Sequence, residues 1–199
     1  MGFNDEGARA VVLDLETGPI DGAVDFLEPV EAPANYKDPE KIAAFKADAL
    51  LGQLAKAALD LDLCRIVCLG TLVEGESQVW VCPEEQDERT ALIAFWAQFP
   101  RVRFVGFNIL SFDLPVLLRR SLYLGVTAPS LVLDKYRHPG VIDVMAVLSG
   151  NGAYRMRSLA FYLKRFGLSP SEGKGSEIPA LVAAGDWAAV EAHNRADLV

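Results

Sequence analysis

The sequence predicts an α/β fold in which a mixed β-sheet is covered by helices. Short apolar runs rich in β-branched residues alternate with longer segments whose apolar residues recur at helical spacing. Their order is β, α, β, β, α, β, α and then mostly helices, which is typical of a mixed sheet. Half of the 199 residues are apolar (51%), enough for one sizeable core. We therefore expect a single domain over residues 1–199.

The first half of the chain carries three predicted strands and two predicted helices. The first strand is a short apolar run that stops at the tripeptide Thr17-Gly18-Pro19. The next two strands flank a turn at 74–77 and form a hairpin. The strands cover residues 10–16, 65–73 and 78–82, and the helices cover 38–59 and 84–99. The first helix belongs to an expected helical insert at about 38–60.

The second half carries a fourth strand at 102–107, a short strand-like run before Asp143 and further helices. The favoured role of Asp143 is to start a helix, and Asp186 caps the last one. A helix is also expected at 157–166 and a loop at 169–176. The helix after the fourth strand places four leucines on one face: Leu114, Leu117, Leu118 and Leu122. A mixed five-stranded sheet flanked by helices results.

Charge is distributed unevenly along the chain. The net charge of −8 discourages a nucleic-acid partner for the molecule as a whole. Residues 101–174, however, carry 11 basic and 4 acidic side chains. Such a stretch can hold a phosphate backbone, but charge alone equally suits a set of solvated helix faces.

Three cysteines, Cys64, Cys68 and Cys82, form no CxxC pair. They lie in or beside apolar runs, which favours buried free thiols in a reducing compartment. No apolar run approaches the roughly 18–20 residues of a membrane span, and the chain starts with polar and acidic residues. We therefore expect a cytoplasmic protein with no membrane partner.

Asp14 and Glu16 are two residues apart on the first predicted strand, so both side chains leave the same face. Two acids in an otherwise apolar strand carry a desolvation penalty unless something neutralises them. A divalent cation is a natural candidate, because hard cations prefer carboxylate oxygens. Alternatively, the pair lies in water at a frayed strand end, since the D-x-E pattern is common by chance.

Asp113 follows the fourth strand and lies in or just before the first turn of a helix. An acid at this place is often an ordinary cap. It can also be a third carboxylate near a strand end, where open α/β sheets place their ligand sites. The residue alone leaves both interpretations open.

His193 and Asp197 are four residues apart on the last predicted helix and therefore share a face. Val190 lies on the same face, which indicates partial burial. A local ion pair and a functional pair are both consistent with this spacing.

Taken together, these motifs resemble the DEDD superfamily of 3′–5′ exonucleases, which have a ribonuclease H-like fold. Three blocks carry the resemblance: VLDLET at 12–17, GFNILSFDLP at 106–115 and HNRAD at 193–197. The proofreading domains of family-B DNA polymerases and phage-type stand-alone exonucleases are the most similar members. The resemblance covers about residues 10–199.

The resemblance implies a metal-dependent 3′–5′ exonuclease with two bound Mg²⁺ or Mn²⁺ ions. Such a pair of ions activates the attacking water and stabilises the leaving oxygen. His193 would act as general base or orient the water. The implied metal ligands are Asp14, Glu16, Asp113 and Asp197.

The resemblance also implies the partners and the substrate contacts. Single-stranded DNA is the expected substrate, with RNA as an alternative and a replication or repair protein as a further partner. Thr17 and Gly18 would approach the terminal nucleotide, Asn108 its backbone, and Phe112 would stack on a base or pack in the core. The basic segment 119–165 would guide the strand through its phosphates.

The third block departs from the family pattern in one respect. Members with His place it five residues before the final Asp, and members with Tyr place the Tyr four residues before it. Here His193 stands at the Tyr-type spacing from Asp197. Relatives also continue beyond this point, so we expect a truncated C-terminus.

Two other classes of function remain open at this stage. One is a non-catalytic ribonuclease H-like module that binds nucleic acid or a polymerase. Acids at all four positions argue against it, because a pure binder does not need buried carboxylates facing phosphates. The other is an endonuclease of the same fold, which would cut without needing a free 3′ end.

Overall fold

A five-stranded sheet forms the centre of the structure, a computed structural model that describes residues 8–134, 136–169 and 175–198. The strands are β1 (Ala10–Pro19), β2 (Cys64–Val73), β3 (Glu76–Val81), β4 (Arg103–Gly106) and β5 (Val141–Asp143). Their order across the sheet is β3-β2-β1-β4-β5. Strand β2 is antiparallel to β1 and β3, whereas β4 is parallel to β1 and β5. The predicted mixed sheet of an α/β fold is confirmed.

Seven α-helices lie among the described residues. They are α1 (Pro39–Ala57), α2 (Glu85–Gln98), α3 (Asp113–Tyr123), α4 (Val144–Leu148), α5 (Leu159–Phe166), α6 (Ile178–Ala184) and α7 (Trp187–Asp197). Asp186 caps α7 as expected, because its side chain accepts a hydrogen bond from the Ala189 N–H. Across the described ranges, no helix is long and apolar enough to cross a membrane.

The two faces of the sheet are buried against different helices. One face of β1 and the adjoining helices α2 and α3 share the main core, which includes Val11, Leu13, Leu15, Phe95, Phe104, Leu114 and Leu117. A smaller cluster on the other face joins β2 to α6 and α7 through Val67, Cys68, Ile178 and Val190. Because side chains alternate along a strand, α7 covers the face of β1 that bears Asp14 and Glu16.

A buried ion pair ties α3 to α2 and to the sheet. Arg120 donates through Nε to Glu88 Oε1 and through Nη2 to Glu88 Oε2, each at 2.8 Å. The same Oε1 accepts the Ile66 N–H of β2 at 2.9 Å. Arg119 is also engaged, in an exposed pair with Asp62. These two members of the basic segment 119–165 therefore hold parts of this chain.

Two details of the elements differ from the sequence-based expectation. The predicted stop of the first strand at residues 17–19 is wrong, because a register shift after Glu16 lets Pro19 still pair with Cys64. Leu122 is 75% exposed rather than part of the buried face of α3. Eight residues turn a helix about 80° past Leu114, which carries Leu122 out of the buried stripe.

The three cysteines are buried free thiols, as the sequence predicts. Burial raises the pKa of Cys64 and of Cys82 to about 12, so both are held as neutral thiols. The loop expected at 169–176 lies mainly outside the described residues, and its last two residues belong to the 3₁₀ turn Gly175–Glu177.

Candidate active site

Strand β1 and helices α3 and α7 bring together the four acids that the sequence singles out. Asp14 and Glu16 lie on β1, Asp113 is the first residue of α3, and Asp197 is the last residue of α7. Nearly 100 residues separate Asp113 from β1 along the chain, yet its Oδ1 accepts the Leu15 N–H at 3.1 Å. Asp113 therefore lies against the strand that carries the first two acids.

His193 links β1 to the end of α7. Its Nδ1 lies 2.8 Å from Glu16 Oε1 and 3.5 Å from Asp197 Oδ2. The ring is buried, and Nε2 has no hydrogen-bond partner among the described residues. The Tyr-type spacing thus places the imidazole between two of the carboxylates, on the buried face that also carries Val190.

Asn194, which sequence reasoning missed, contacts Asp14 directly. Its Nδ2 donates to the Asp14 carboxylate Oδ2 at 2.8 Å and lies 3.2 Å from the Asp14 carbonyl oxygen. Gly70 of β2 leaves the space for this side chain. An isolated glycine in an apolar strand is a sign of a close approach, so Gly70 was the signal available in the sequence.

Asp143 holds the loop that leads to Asp113. Its buried carboxylate accepts three backbone N–H groups: Asn108 at 3.0 Å, Leu110 at 3.0 Å and Ala146 at 3.1 Å. The third of these bonds caps α4, so the predicted helix-start role is found. The other two fix the loop in which Asn108 adopts a φ of +65°.

The electrostatics of the site favour protonated acids as long as no cation is bound. Burial raises the pKa of Asp14 well above its ordinary value, and the neighbouring carboxylates, Asp113 first, raise it further. Burial also raises the pKa of Glu16 and of Asp113 to about 7 each, although hydrogen bonds from His193 and from backbone N–H groups oppose the shift. Burial is the largest cause for all three groups, so the site disfavours ionised carboxylates unless a cation is bound.

The donor set fits a divalent cation. One ligand atom each from Glu16, His193 and Asp197 lies within 4.8 Å of the others. Carboxylate oxygens are the ligands that Mg²⁺ and Mn²⁺ prefer, and bound cations stabilise the ionised acids whose pKa burial has raised. Glu16 and Asp197 therefore suit a divalent cation, whereas Asp14 and Asp113 are not part of this tight group among the described residues.

The expected substrate contacts lie in different surroundings. Thr17 Oγ1 donates to the Ala58 carbonyl at 2.6 Å, so this hydroxyl braces the start of the β1 extension. Gly18 lines a cavity of about 470 Å³ between β1, α1 and α6. Asn108 lies in the loop that Asp143 holds, and Phe112 is half-buried against the main core. Of the two interpretations of Phe112, packing is the one with a contact in the structure.

The fold and this cluster define the class of protein to which the chain belongs. Residues 57–199 match the family described as "Predicted 3'-5' exonuclease related to the exonuclease domain of PolB". The match covers most of the chain, so the chain belongs to this family. The predicted DEDD 3′–5′ exonuclease class is thus confirmed. Asp14 and Glu16 precede the matched residues, and their place in the site comes from the geometry described above.

One solved structure supports the fold. The family-B DNA polymerase of the archaeon Pyrobaculum calidifontis is 16% identical, with a TM-score of 0.58 over 96% of this chain and 23% of the polymerase. This chain thus spans less than a quarter of that enzyme. Trypanosoma brucei RNase D (16% identical, 98% of this chain, 56% of that chain) and an exonuclease I (13%, 92% and 44%) both give TM-scores of 0.45. No curated protein matches the chain by sequence.

Proposed function

We propose that this chain removes nucleotides from the 3′ end of single-stranded DNA with the help of two divalent cations, Mg²⁺ or Mn²⁺. The observation that carries the proposal is the convergence of buried and half-buried carboxylates from β1, α3 and α7. Such a cluster destabilises the fold unless cations are bound, so a stabilising function alone does not account for it.

The proposed ligands are Asp14, Glu16, Asp113 and Asp197. Bound there, two cations would supply a hydroxide-like nucleophile and charge stabilisation for the leaving 3′ oxygen. Asp113 Oδ1 is engaged by the Leu15 N–H, and Asp14 Oδ2 by Asn194. These bonds fix the direction in which each carboxylate presents its remaining oxygen.

His193 is the proposed proton acceptor or orienting group for the attacking water. An ionised Glu16 carboxylate can only accept, so the short contact to Glu16 Oε1 places the ring hydrogen on Nδ1. Nε2 then carries the lone pair, and it is the nitrogen without a partner among the described residues. Because Nε2 is buried, the attacking water would have to enter the space beside it to transfer a proton there.

The relation of the family to a polymerase exonuclease domain supports DNA as the proposed substrate. We propose that the terminal nucleotide lies near Thr17 and Gly18, its backbone near Asn108, and one base near Phe112. A replication or repair protein is the proposed partner. The basic segment supplies exposed cations, Arg155, Arg157, Lys164 and Arg165, for the phosphates upstream of the 3′ end.

The test uses a 5′-labelled single-stranded oligonucleotide with Mn²⁺ or Mg²⁺. The proposal predicts a ladder that shortens from the 3′ end and is absent with EDTA or in Asp14→Asn. Circular single-stranded DNA should stay intact, because it has no 3′ end. Cleavage of the circle would indicate an endonuclease, and degradation of RNA alone would move the substrate to RNA. Binding without any cleavage would contradict the enzyme and favour a binding module.

A further inference from the structure

Asn194 is the most completely buried polar side chain in contact with the proposed ligands. Its exposed fraction is 0%, and it lies on α7 next to His193. Its Nδ2 bonds to Asp14 Oδ2 at 2.8 Å and is also close to the Asp14 carbonyl oxygen, at 3.2 Å. The Asn194 amide is thus hydrogen-bonded to both the side chain and the backbone of Asp14.

The orientation of this amide follows from its neighbours. The Asp14 carbonyl oxygen is always an acceptor and the ionised carboxylate is a second one, so the NH₂ group points at them. The opposite orientation would bring the amide oxygen against a carboxylate and a carbonyl. In the orientation adopted, Asn194 Oδ1 is buried and has no hydrogen-bond partner among the described residues. The protein therefore leaves one polar atom unsatisfied while it keeps the bond to Asp14.

Gly70 makes room for this arrangement. It pairs with Asp14 in the β1–β2 register. A Cβ at Gly70 would lie 1.9 Å from Asn194 Oδ1 and 2.9 Å from Leu198 Cδ1. No real Cβ tolerates the first distance, so any larger residue at position 70 would displace Asn194 from Asp14.

We propose that Asn194 is a positioning residue that holds the Asp14 carboxylate in its cation-binding orientation, and that Gly70 is required for it to do so. This inference rests on the proposed function. A neutral amide suits the task, because it orients the carboxylate without adding a positive charge that would compete with the cation. Hydrogen bonds to ligating carboxylates of this kind typically change metal affinity by about 10–100-fold.

The alternative is that Asn194 only helps α7 to pack on the sheet, and Asn194→Leu separates the two. Leucine has a similar branched shape but no hydrogen-bonding atoms, and it also removes the unsatisfied Oδ1. Arg195→Gln is the matched control, because Arg195 is the next residue of α7. Its hydrogen bonds to Ser77 and Glu191 are exposed or only part-buried. Each variant of the full chain is tested for Mn²⁺ affinity, by electron paramagnetic resonance of free Mn²⁺, and for Tm in EDTA.

We expect Asn194→Leu and Asn194→Ala to bind Mn²⁺ about 10–100-fold more weakly than the wild type, while Arg195→Gln binds as the wild type does. In EDTA, Asn194→Leu should keep a Tm close to the wild-type value. A packing role alone predicts the reverse: a lower Tm with unchanged Mn²⁺ affinity in both variants. Wild-type affinity in Asn194→Leu and Asn194→Ala would overturn the inference.

Gly70 adds a second, independent comparison. Gly70→Ala should lower both the Tm and the Mn²⁺ affinity, because its methyl group collides with Asn194. The double variant Gly70→Ala/Asn194→Ala removes the main collision, so its Tm should recover relative to Gly70→Ala while its Mn²⁺ affinity stays low. Recovery of both quantities would contradict the positioning role.

Failure of the proposed function gives a different pattern. In that case wild-type protein neither binds Mn²⁺ nor shortens DNA, which overturns both proposals at once. A wild-type protein that binds Mn²⁺ and shortens DNA, beside an Asn194→Leu variant that does both equally well, overturns only the positioning role.

Discussion

At the scale of single residues, Asp14 carries the most consequences. It is surrounded by three other acids and is bonded by Asn194, and burial raises its pKa well above the ordinary value. An acid at this place costs stability, because burial and the neighbouring carboxylates all oppose its ionisation. The ionised form of Asp14 therefore has to be explained by what it binds.

Replacing Asp14 by Asn separates activity from stability. We expect Asp14→Asn to lose about 4 kcal/mol of transition-state stabilisation, which is about a thousandfold in rate. Its Tm in EDTA at about pH 8 should be no lower than that of the wild type, because the variant removes one of several repelling charges. Nuclease rates and thermal melts check both parts. A large loss of Tm would attribute the inactivity to misfolding.

Glu16 and Asp113 predict how stability depends on pH. Both have a pKa raised to about 7 in the folded chain, from 4.5 and 3.8. An acid whose pKa is higher when folded stabilises the fold below its unfolded pKa, and this contribution is lost as pH rises through the folded pKa. In EDTA, the free energy of unfolding should therefore fall between about pH 4 and pH 7.

Urea unfolding at several pH values measures this slope. Added Mn²⁺ should reverse the fall at about pH 7 and above, because the cation binds the ionised acids. Glu16→Gln and Asp113→Asn should each flatten the slope in EDTA. A wild-type stability that rises over the same interval would show that these two acids are not held in their uncharged forms.

At the scale of elements, Asp143 connects β5 and α4 with the loop that precedes α3. Three part-buried backbone N–H groups donate to its carboxylate. The loop contains Asn108, and Gly106 just before it also has to be small, because a Cβ there would lie 2.4 Å from Ile109 Cγ2. The loop that leads to Asp113 is thus held by a residue 30 positions later in the chain, Asp143.

We expect Asp143→Ala to reduce the free energy of unfolding by about 2 kcal/mol, from a lost cap and two part-buried N–H groups that lose their acceptor. Nuclease activity should fall further than stability explains, with a raised KM, because Asn108 moves with the loop. Asp60→Ala is the control, since Asp60 accepts the Asp62 and Leu63 N–H groups in an exposed turn. Equal losses of stability and activity in the two variants would show that Asp143 does not hold the loop for the site.

The same elements show what the sequence could and could not predict. Most helix and strand identities followed from periodicity, and the cap at Asp186 was predicted because capping is local. The extension of β1 was not readable, since it depends on a register shift against β2. Asn194 and the loop-holding bonds of Asp143 were missed because each depends on a partner distant in sequence, and only Gly70 gave a local sign.

At the scale of the whole molecule, the acidic site differs in charge from the basic surface proposed to bind nucleic acid. The chain is net −8, yet Arg155, Arg157, Lys164 and Arg165 are exposed on or beside α5. Arg157 lies over the Phe161 ring at 4.8 Å, which joins a cation to an aromatic surface. Arg119 and Arg120, in contrast, pair with acids of the chain itself.

The contrast between exposed and paired basic side chains predicts which of them contact phosphates. Arg155→Gln or Arg157→Gln should weaken binding of single-stranded DNA. Each should reduce the slope of the logarithm of the binding constant against the logarithm of the salt concentration by about 0.7. Arg119→Gln should leave the slope unchanged, since its charge is already paired with Asp62. Fluorescence anisotropy in EDTA at several salt concentrations measures the slopes. A reduction in Arg119→Gln equal to that in Arg157→Gln would contradict the assignment.

The central claim is that the carboxylates brought together on β1, α3 and α7 hold the cations used to cleave the nucleic acid. The most direct test is the number of Mn²⁺ ions bound per chain, measured by equilibrium dialysis for the wild type and for Asp14→Asn. The account predicts two ions for the wild type and fewer in the variant, because Asp14 is one of the proposed ligands. A wild type that binds none, or an Asp14→Asn variant that still binds two, would contradict it.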